Sequence, residues 1–184
     1  MIHTRTELNE YIQMDNEMYF KKSLRERIVD KIASYPEYKI MQFKRSLRRA
    51  EYAFNTAGNS RLKWIIALFY ERKKNRLGRE LGIDIDINCF GKGLQIFHGG
   101  SIVVNPRARI GENCKLHGGN CIGNNGKSQE VPMIGNNVDI GYGACVTGNI
   151  VLADNIVIGS NAAVVKSCIR DGAVLAGVPA KEIR

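Results

Sequence analysis

Ile134-Gly135-Asn136-Asn137-Val138-Asp139-Ile140-Gly141 sets two isoleucines six positions apart, each followed by glycine, with Val138 four places after the first. The same step runs in both directions. Val104, Ile110, Leu116, Ile122, Ser128, Ile134, Ile140, Val146, Leu152, Ile158 and Val164 form one series, and every member except Ser128 is Ile, Leu or Val. Ser128 falls in the polar stretch from Asn124 to Glu130, so the phase survives an excursion there. A period of six is neither the 3.6 of an α-helix nor the 2.0 of a strand. It suits a chain that turns a corner at every sixth residue and points one aliphatic side chain inward at each. Three such faces make a triangular coil whose stacked turns pair their strands in parallel. Gly and Asn at the corners allow the positive-φ backbone that turning requires. An earlier set, Phe90, Ile96 and Ile102, is offset by two, and Ser101-Ile102-Val103-Val104 marks the slip. A β-sandwich spaces its turns by roughly 8–12 residues and holds no sixfold phase, so it is set aside.

The rest of the chain differs. Of 19 glycines among 184 residues, only Gly58 and Gly78 precede residue 81. Residues 1–80 carry 18 basic and 10 acidic side chains against 9 and 8 in the remainder, so the net charge of +9 belongs almost wholly to the first part. Leu24, Ile28 and Ile32 read as the stripe of a half-buried helix, and Pro36 should end that helix or start the next. A second helix is expected from about Tyr38 to Phe54, and a third from about Arg61 to Leu77, stopping at Gly78. The predicted organisation is a basic α-helical domain over 1–80 and a β-coil domain over 81–184. No apolar run approaches the roughly 20 residues of a membrane span. No secretory signal is read at the N-terminus, and five unpaired cysteines fit a reducing, cytoplasmic setting rather than a disulfide scaffold.

Ile110-Gly111-Glu112-Asn113-Cys114, the stretch Ile134–Gly141 and the closing Ala176-Gly177-Val178-Pro179-Ala180-Lys181 resemble the hexapeptide-repeat acyltransferases. Phe90-Gly91-Lys92-Gly93-Leu94-Gln95-Ile96-Phe97-His98, followed by Gly99-Gly100-Ser101-Ile102-Val103-Val104, is similar to the serine acetyltransferase branch. The short helical part looks more like versions associated with surface-polysaccharide synthesis. The resemblance covers about residues 80–184. It implies a mainly β fold, a left-handed parallel β-helix with a small N-terminal helical domain. It also implies a homotrimer with active sites between subunits, and acetyl-CoA as co-substrate without a metal.

Acetyl transfer from a thioester to a hydroxyl needs a base for the departing proton and donors for the oxyanion. Histidine is mostly neutral yet basic near pH 7. His98 falls where the resembling branch keeps its catalytic base, and Asp84 is the carboxylate expected to orient it, with Asp86 in reserve. His3 stands near the terminus and is given no role. His117 follows the inward Leu116 and should point outward, a candidate for acceptor binding or a plain surface histidine. The resemblance places Gly123, Asn125, Gly126, Lys127, Tyr142, Gly143, Ala144 and Ser160 along the pantetheine arm and Lys181 near the nucleotide. Tyr142 departs from the small residue usual there.

The acceptor is read from the departures. In the serine enzymes an acid precedes the catalytic histidine and an Arg-His pair follows the glycine-rich loop. Here those positions are Phe97, Glu130 and Val131. An amino-acid pocket must satisfy an ammonium and a carboxylate, and leaving either buried and unpaired costs several kcal/mol. Phe97 instead offers an apolar face suited to a sugar ring. The expectation is therefore O-acetylation of a surface-polysaccharide sugar or its precursor, with L-serine O-acetylation as the alternative. Residues 44–79 hold 11 basic and two acidic side chains, compatible with peripheral contact to an anionic membrane. Nucleic acid is not expected, since Arg72-Lys73-Lys74-Asn75-Arg76 lacks interleaved aromatics. Three well-placed ligands for a metal are also missing.

Overall fold

A computed structural model describes residues 1–184. Five helices come first: α1 (Arg5–Asp15), α2 (Glu17–Phe20), α3 (Leu24–Ile32), α4 (Pro36–Asn55) and α5 (Arg61–Leu81). Two start at capping boxes, Thr4 with Glu7 and Ser23 with Glu26, in which each side chain satisfies the other's free backbone N–H. α1 was not anticipated, although Thr4-x-x-Glu7 is a start signal legible in the sequence.

From residue 83 the chain winds through three faces in a repeating order. The first face holds β1 (Ile83–Ile85), β3 (Ile102–Val104), β6 (Cys121–Gly123), β9 (Cys145–Thr147) and β12 (Ala163–Val164). The second holds β4 (Arg109–Ile110), β7 (Met133–Ile134) and β10 (Val151–Leu152). The third holds β2 (Gln95–Ile96), β5 (Lys115–Leu116), β8 (Asp139–Ile140), β11 (Val157–Ile158) and β13 (Val174–Gly177), closed by antiparallel β14 (Ala180–Glu182). All pairings except β13–β14 are parallel, and they stack the aliphatic series in register: Val104, Ile122, Val146 and Val164 on the first face, Leu116, Ile140 and Ile158 on the third. These side chains are buried, each contributing roughly 1.5–3 kcal/mol through removal from water.

One corner is held by a ladder of amides. Asn113, Asn137 and Asn155 all have φ between 56° and 59°, and each hands a side-chain N–H to the next: Asn113 to Asn137 (3.0 Å), Asn137 to Asn155 (3.0 Å), Asn155 to Asp171 (2.8 Å). Asparagine tolerates the left-handed conformation and uses its amide to bond the rung above.

Helices and coil share one core, for Ile40, Phe43, Leu47 and Leu77 pack in the same cluster as the coil's aliphatic series. A buried ion network joins them at the coil's first turn. Arg48 is wholly buried, donates to Asp15 (2.7 Å) and Glu51 (3.0 Å), and reaches the carbonyls of Phe90 (2.9 Å) and Gly91 (2.6 Å). Asp15 accepts in turn from the backbone of Gly93 (2.8 Å) and Leu94 (2.9 Å). Burial alone would lower the Arg48 pKa, but the two carboxylates outweigh it and hold the guanidinium charged.

Two helical expectations need correction. Leu24, Ile28 and Ile32 are 67%, 48% and 81% exposed, so the stripe faces outward. α3 instead turns Asp30 inward to Lys22 at 2.7 Å. α5 also runs past Gly78 to Leu81 and stops at Gly82, whose φ is 65°. Gly78 serves a close approach, since a Cβ there would stand 2.4 Å from the Ile83 carbonyl oxygen. The first half of α5 leaves Leu62, Ile65, Leu68 and Phe69 exposed. No helix is long and apolar enough to cross a membrane.

Replacing Arg48 by Met leaves Asp15 and Glu51 buried without a cation, a loss of about 3–5 kcal/mol. Urea denaturation should show it, and a change under about 1 kcal/mol would mean the network does not hold the two parts together. Lys44, on the same side of α4, donates to the backbone carbonyls of Asp15 and Leu94. Burial pulls its pKa from 10.5 to about 8 against the opposing pull of Asp15. Below about pH 8 both folded and unfolded chains carry the proton. Between about 8 and 10.5 only the unfolded chain does, so stability should rise with pH there and rise less in Lys44→Met.

Candidate active site

The third face meets the first at a corner where the rungs differ in length. Between the aligned pairs Ile96/Leu116 and Ile102/Asn120, one turn carries Phe97-His98-Gly99-Gly100-Ser101 and the next only His117-Gly118-Gly119. The two-residue slip in the sixfold phase is this longer corner. It lifts His98 out of the ladder and leaves it exposed, while Gly100 donates to the Leu81 carbonyl at 2.7 Å.

His98, Gly118, Tyr142 and Ser160 follow one another up this corner. Leu116, Ile140 and Ile158 are in register two residues before the last three. A Cβ on Gly118 would lie 3.3 Å from His98 Cβ and 3.0 Å from the Tyr142 ring, and its φ is 118°. Glycine is needed there by both space and backbone. Beside this column, the Phe97 and His117 rings stack at 4.7 Å and 29°, and His117 Nε2 stands 2.7 Å from Asp139 Oδ1.

The expected carboxylate is not joined to His98. Asp84 sits on β1 opposite Val103 and points outward on the first face, and no hydrogen bond links it to the imidazole. Asp86 is engaged elsewhere, 3.5 Å from the Lys74 ammonium. The carboxylate that does bond a histidine here is Asp139. Its alternation with the inward Ile140 marks it as outward, but its pairing with His117 required the coil register.

Of the residues proposed for the pantetheine arm, Tyr142 and Ser160 are exposed on the His98 column and Lys181 is exposed on β14. Gly143, with φ 72°, turns the same corner. The Ala144 side chain is fully buried, so what it brings to this corner is backbone rather than a side-chain wall. Gly123 ends β6 at the opposite edge of the first face. There the Asn125 side chain accepts from the backbone of Lys127 (3.0 Å) and Ser128 (3.1 Å), shaping a turn with Gly126 at φ 74°. His98 and the Gly123–Lys127 turn therefore bracket the first face instead of meeting.

Phe97 also forms one wall of a cavity of about 180 Å³ between coil and helices, lined further by Asn16, Tyr19, Lys22, Glu37 and Lys44. Asn16 Oδ1 and the Tyr19 hydroxyl are buried there without a hydrogen-bond partner.

A serine acetyltransferase of Helicobacter pylori strain J99 is 36% identical over 119 residues, 62% of this chain and 69% of that protein. The chain belongs to the serine acetyltransferase family of hexapeptide-repeat enzymes. A Staphylococcus xylosus serine acetyltransferase is 35% identical over 121 residues, covering 60% of this chain and 56% of that one. Among solved structures, the Brucella abortus serine acetyltransferase in complex with coenzyme A is 26% identical with a TM-score of 0.71, covering 97% of this chain and 66% of that one. No protein-family model matches the chain. As a member of this family the protein is an O-acetyltransferase. The polysaccharide branch finds no support in these relatives, which favour the alternative acceptor, serine.

Ala in place of Gly118 should cost about 1–3 kcal/mol through its backbone conformation and displace the Tyr142 ring. Wild-type stability in Gly118→Ala, measured by chemical denaturation, would contradict this backbone geometry.

Proposed function

We propose that this chain transfers acetyl from acetyl-CoA to the hydroxyl of L-serine, as a homotrimer of left-handed β-helices. The observation that carries the acceptor is the cavity against Phe97. The coil offers neither the acid at position 97 nor the cations at 130 and 131 that an amino acid would need. The helical part brings charge of both signs to the other side of the same cavity: Glu37, Lys22, which pairs with Asp30, and Lys44, which donates to two backbone carbonyls. A pocket carrying both signs of charge suits a zwitterion better than a neutral sugar. The relatives' shared name, serine acetyltransferase, supports the same acceptor.

His98 acts as general base. It takes the serine Oγ proton as the oxygen attacks the thioester carbonyl, then returns it to the departing thiolate as the tetrahedral intermediate collapses. The bond formed is the acetyl ester and the bond broken is the C–S bond. The corner's exposed backbone around Gly99 and Gly100 lets reactants approach closely. The pantetheine arm runs along the column of Tyr142 and Ser160. Because His98 and the Gly123–Lys127 turn lie at opposite edges of the first face, a complete site draws one from each of two neighbouring subunits. The bound coenzyme A in the Brucella structure supports acetyl-CoA as the donor.

Thiol release from acetyl-CoA should be fast with L-serine and slow with a panel of hexoses and nucleotide sugars. His98→Ala should lower kcat by roughly 10²–10⁴-fold. Rapid turnover of a sugar with none of serine would restore the glycan acceptor.

A further inference from the structure

We infer that Asp139 and His117, stacked on Phe97, form the site that grips the ammonium group of the acceptor. This rests on the serine acceptor proposed above and deepens it by assigning one of its charged groups. Asp139 is the only acid in the outward ladder Gln95, Lys115, Asp139, Val157, Val174 on the third face. Its two oxygens are divided: Oδ1 lies 2.7 Å from His117 Nε2, and Oδ2 lies 3.6 Å from Lys115 Nζ.

The His117 bond fixes the tautomer. Toward a carboxylate Nε2 is the protonated nitrogen, so in the neutral imidazole Nδ1 carries the lone pair, and it has no partner within the chain. That lone pair accepts from an ammonium, and the carboxylate behind it strengthens the imidazole as an acceptor, as it does for a metal-bound histidine. Phe97 stacks against the imidazole at 4.7 Å and braces its orientation, and it also lines the cavity. The next rung above His117 is Gly141, which places no side chain over the ring. The His117 and Asp139 side chains are 39% and 29% exposed, so a ligand can reach them. Neither is needed to hold the coil, since the buried aliphatic ladder does that. His98 stands one residue beyond Phe97, which brings an acceptor held here by its ammonium beside the proposed base. In this arrangement His117 and Asp139 replace the acid that the serine enzymes carry at the position of Phe97.

The test compares L-serine with 3-hydroxypropanoate, which has the hydroxyl and carboxylate but no amino group. His117→Asn and Asp139→Asn should each raise KM for serine by roughly tenfold, the scale of one charge-assisted hydrogen bond, with the loss carried mainly in KM. Turnover of 3-hydroxypropanoate should fall far less, so the preference for serine collapses. Asp139 acts through His117 as a positioning residue, so the double variant should be little worse than His117→Asn alone. Equal losses on both acceptors, or a kcat collapse like that of His98→Ala, would overturn the inference even with serine as the true acceptor. No serine turnover by the unaltered enzyme would instead overturn the acceptor itself.

Discussion

A solenoid's first turn has a bare polar edge, and in this protein one guanidinium closes it. The backbone around Phe90–Leu94 has no preceding turn to pair with, so its carbonyls and N–H groups would face an apolar interior unsatisfied. Arg48 meets the carbonyls and Asp15 meets the N–H groups, while Arg48 and Asp15 neutralise each other. Terminal turns of repeat proteins need caps, and here the cap is also the rest of the protein. The arrangement ties α1 and α4 to the coil at atomic precision, and only because of that can helical side chains share a cavity with Phe97. The charged cavity against Phe97 depends on this seam.

The coil was legible in the sequence because its cause is local and repetitive. One aliphatic side chain per six residues is forced at each corner, and even the Asn124–Glu130 excursion kept phase. The slip between Ile102 and Val104 was legible too, but its meaning was not. Only the register shows that the two extra residues belong to the corner with His98. The helical part was harder. Leu24, Ile28 and Ile32 have helical spacing, yet periodicity reports a face without saying what lies opposite it, and Asp30 took the inward position by pairing with Lys22. Gly78 looked like a stop because helix ends and close approaches use the same residue.

The relatives favour the alternative acceptor over the expected glycan, and the sequence leaned the other way for a related reason. The expectation weighed charges at coil positions 97, 130 and 131 and found the amino-acid pocket missing. A site at a seam between two unlike parts cannot be judged from one of them. Glu37, Lys22 and Lys44 are more than fifty residues from Phe97 along the chain, and no spacing rule links them to it. Asp139 was equally hidden, 22 positions from His117 yet on the adjacent rung.

The stacked corner also works as a measuring rod. Successive turns are spaced by about 4.8 Å, so Ser160 stands three steps, roughly 14 Å, above His98. Any flexible donor anchored near the upper mark must have an arm of at least that reach to bring its carbonyl to the lower one. Donor selection then follows from length as well as from contacts, and adding or removing one complete turn between the marks would recalibrate it in fixed increments.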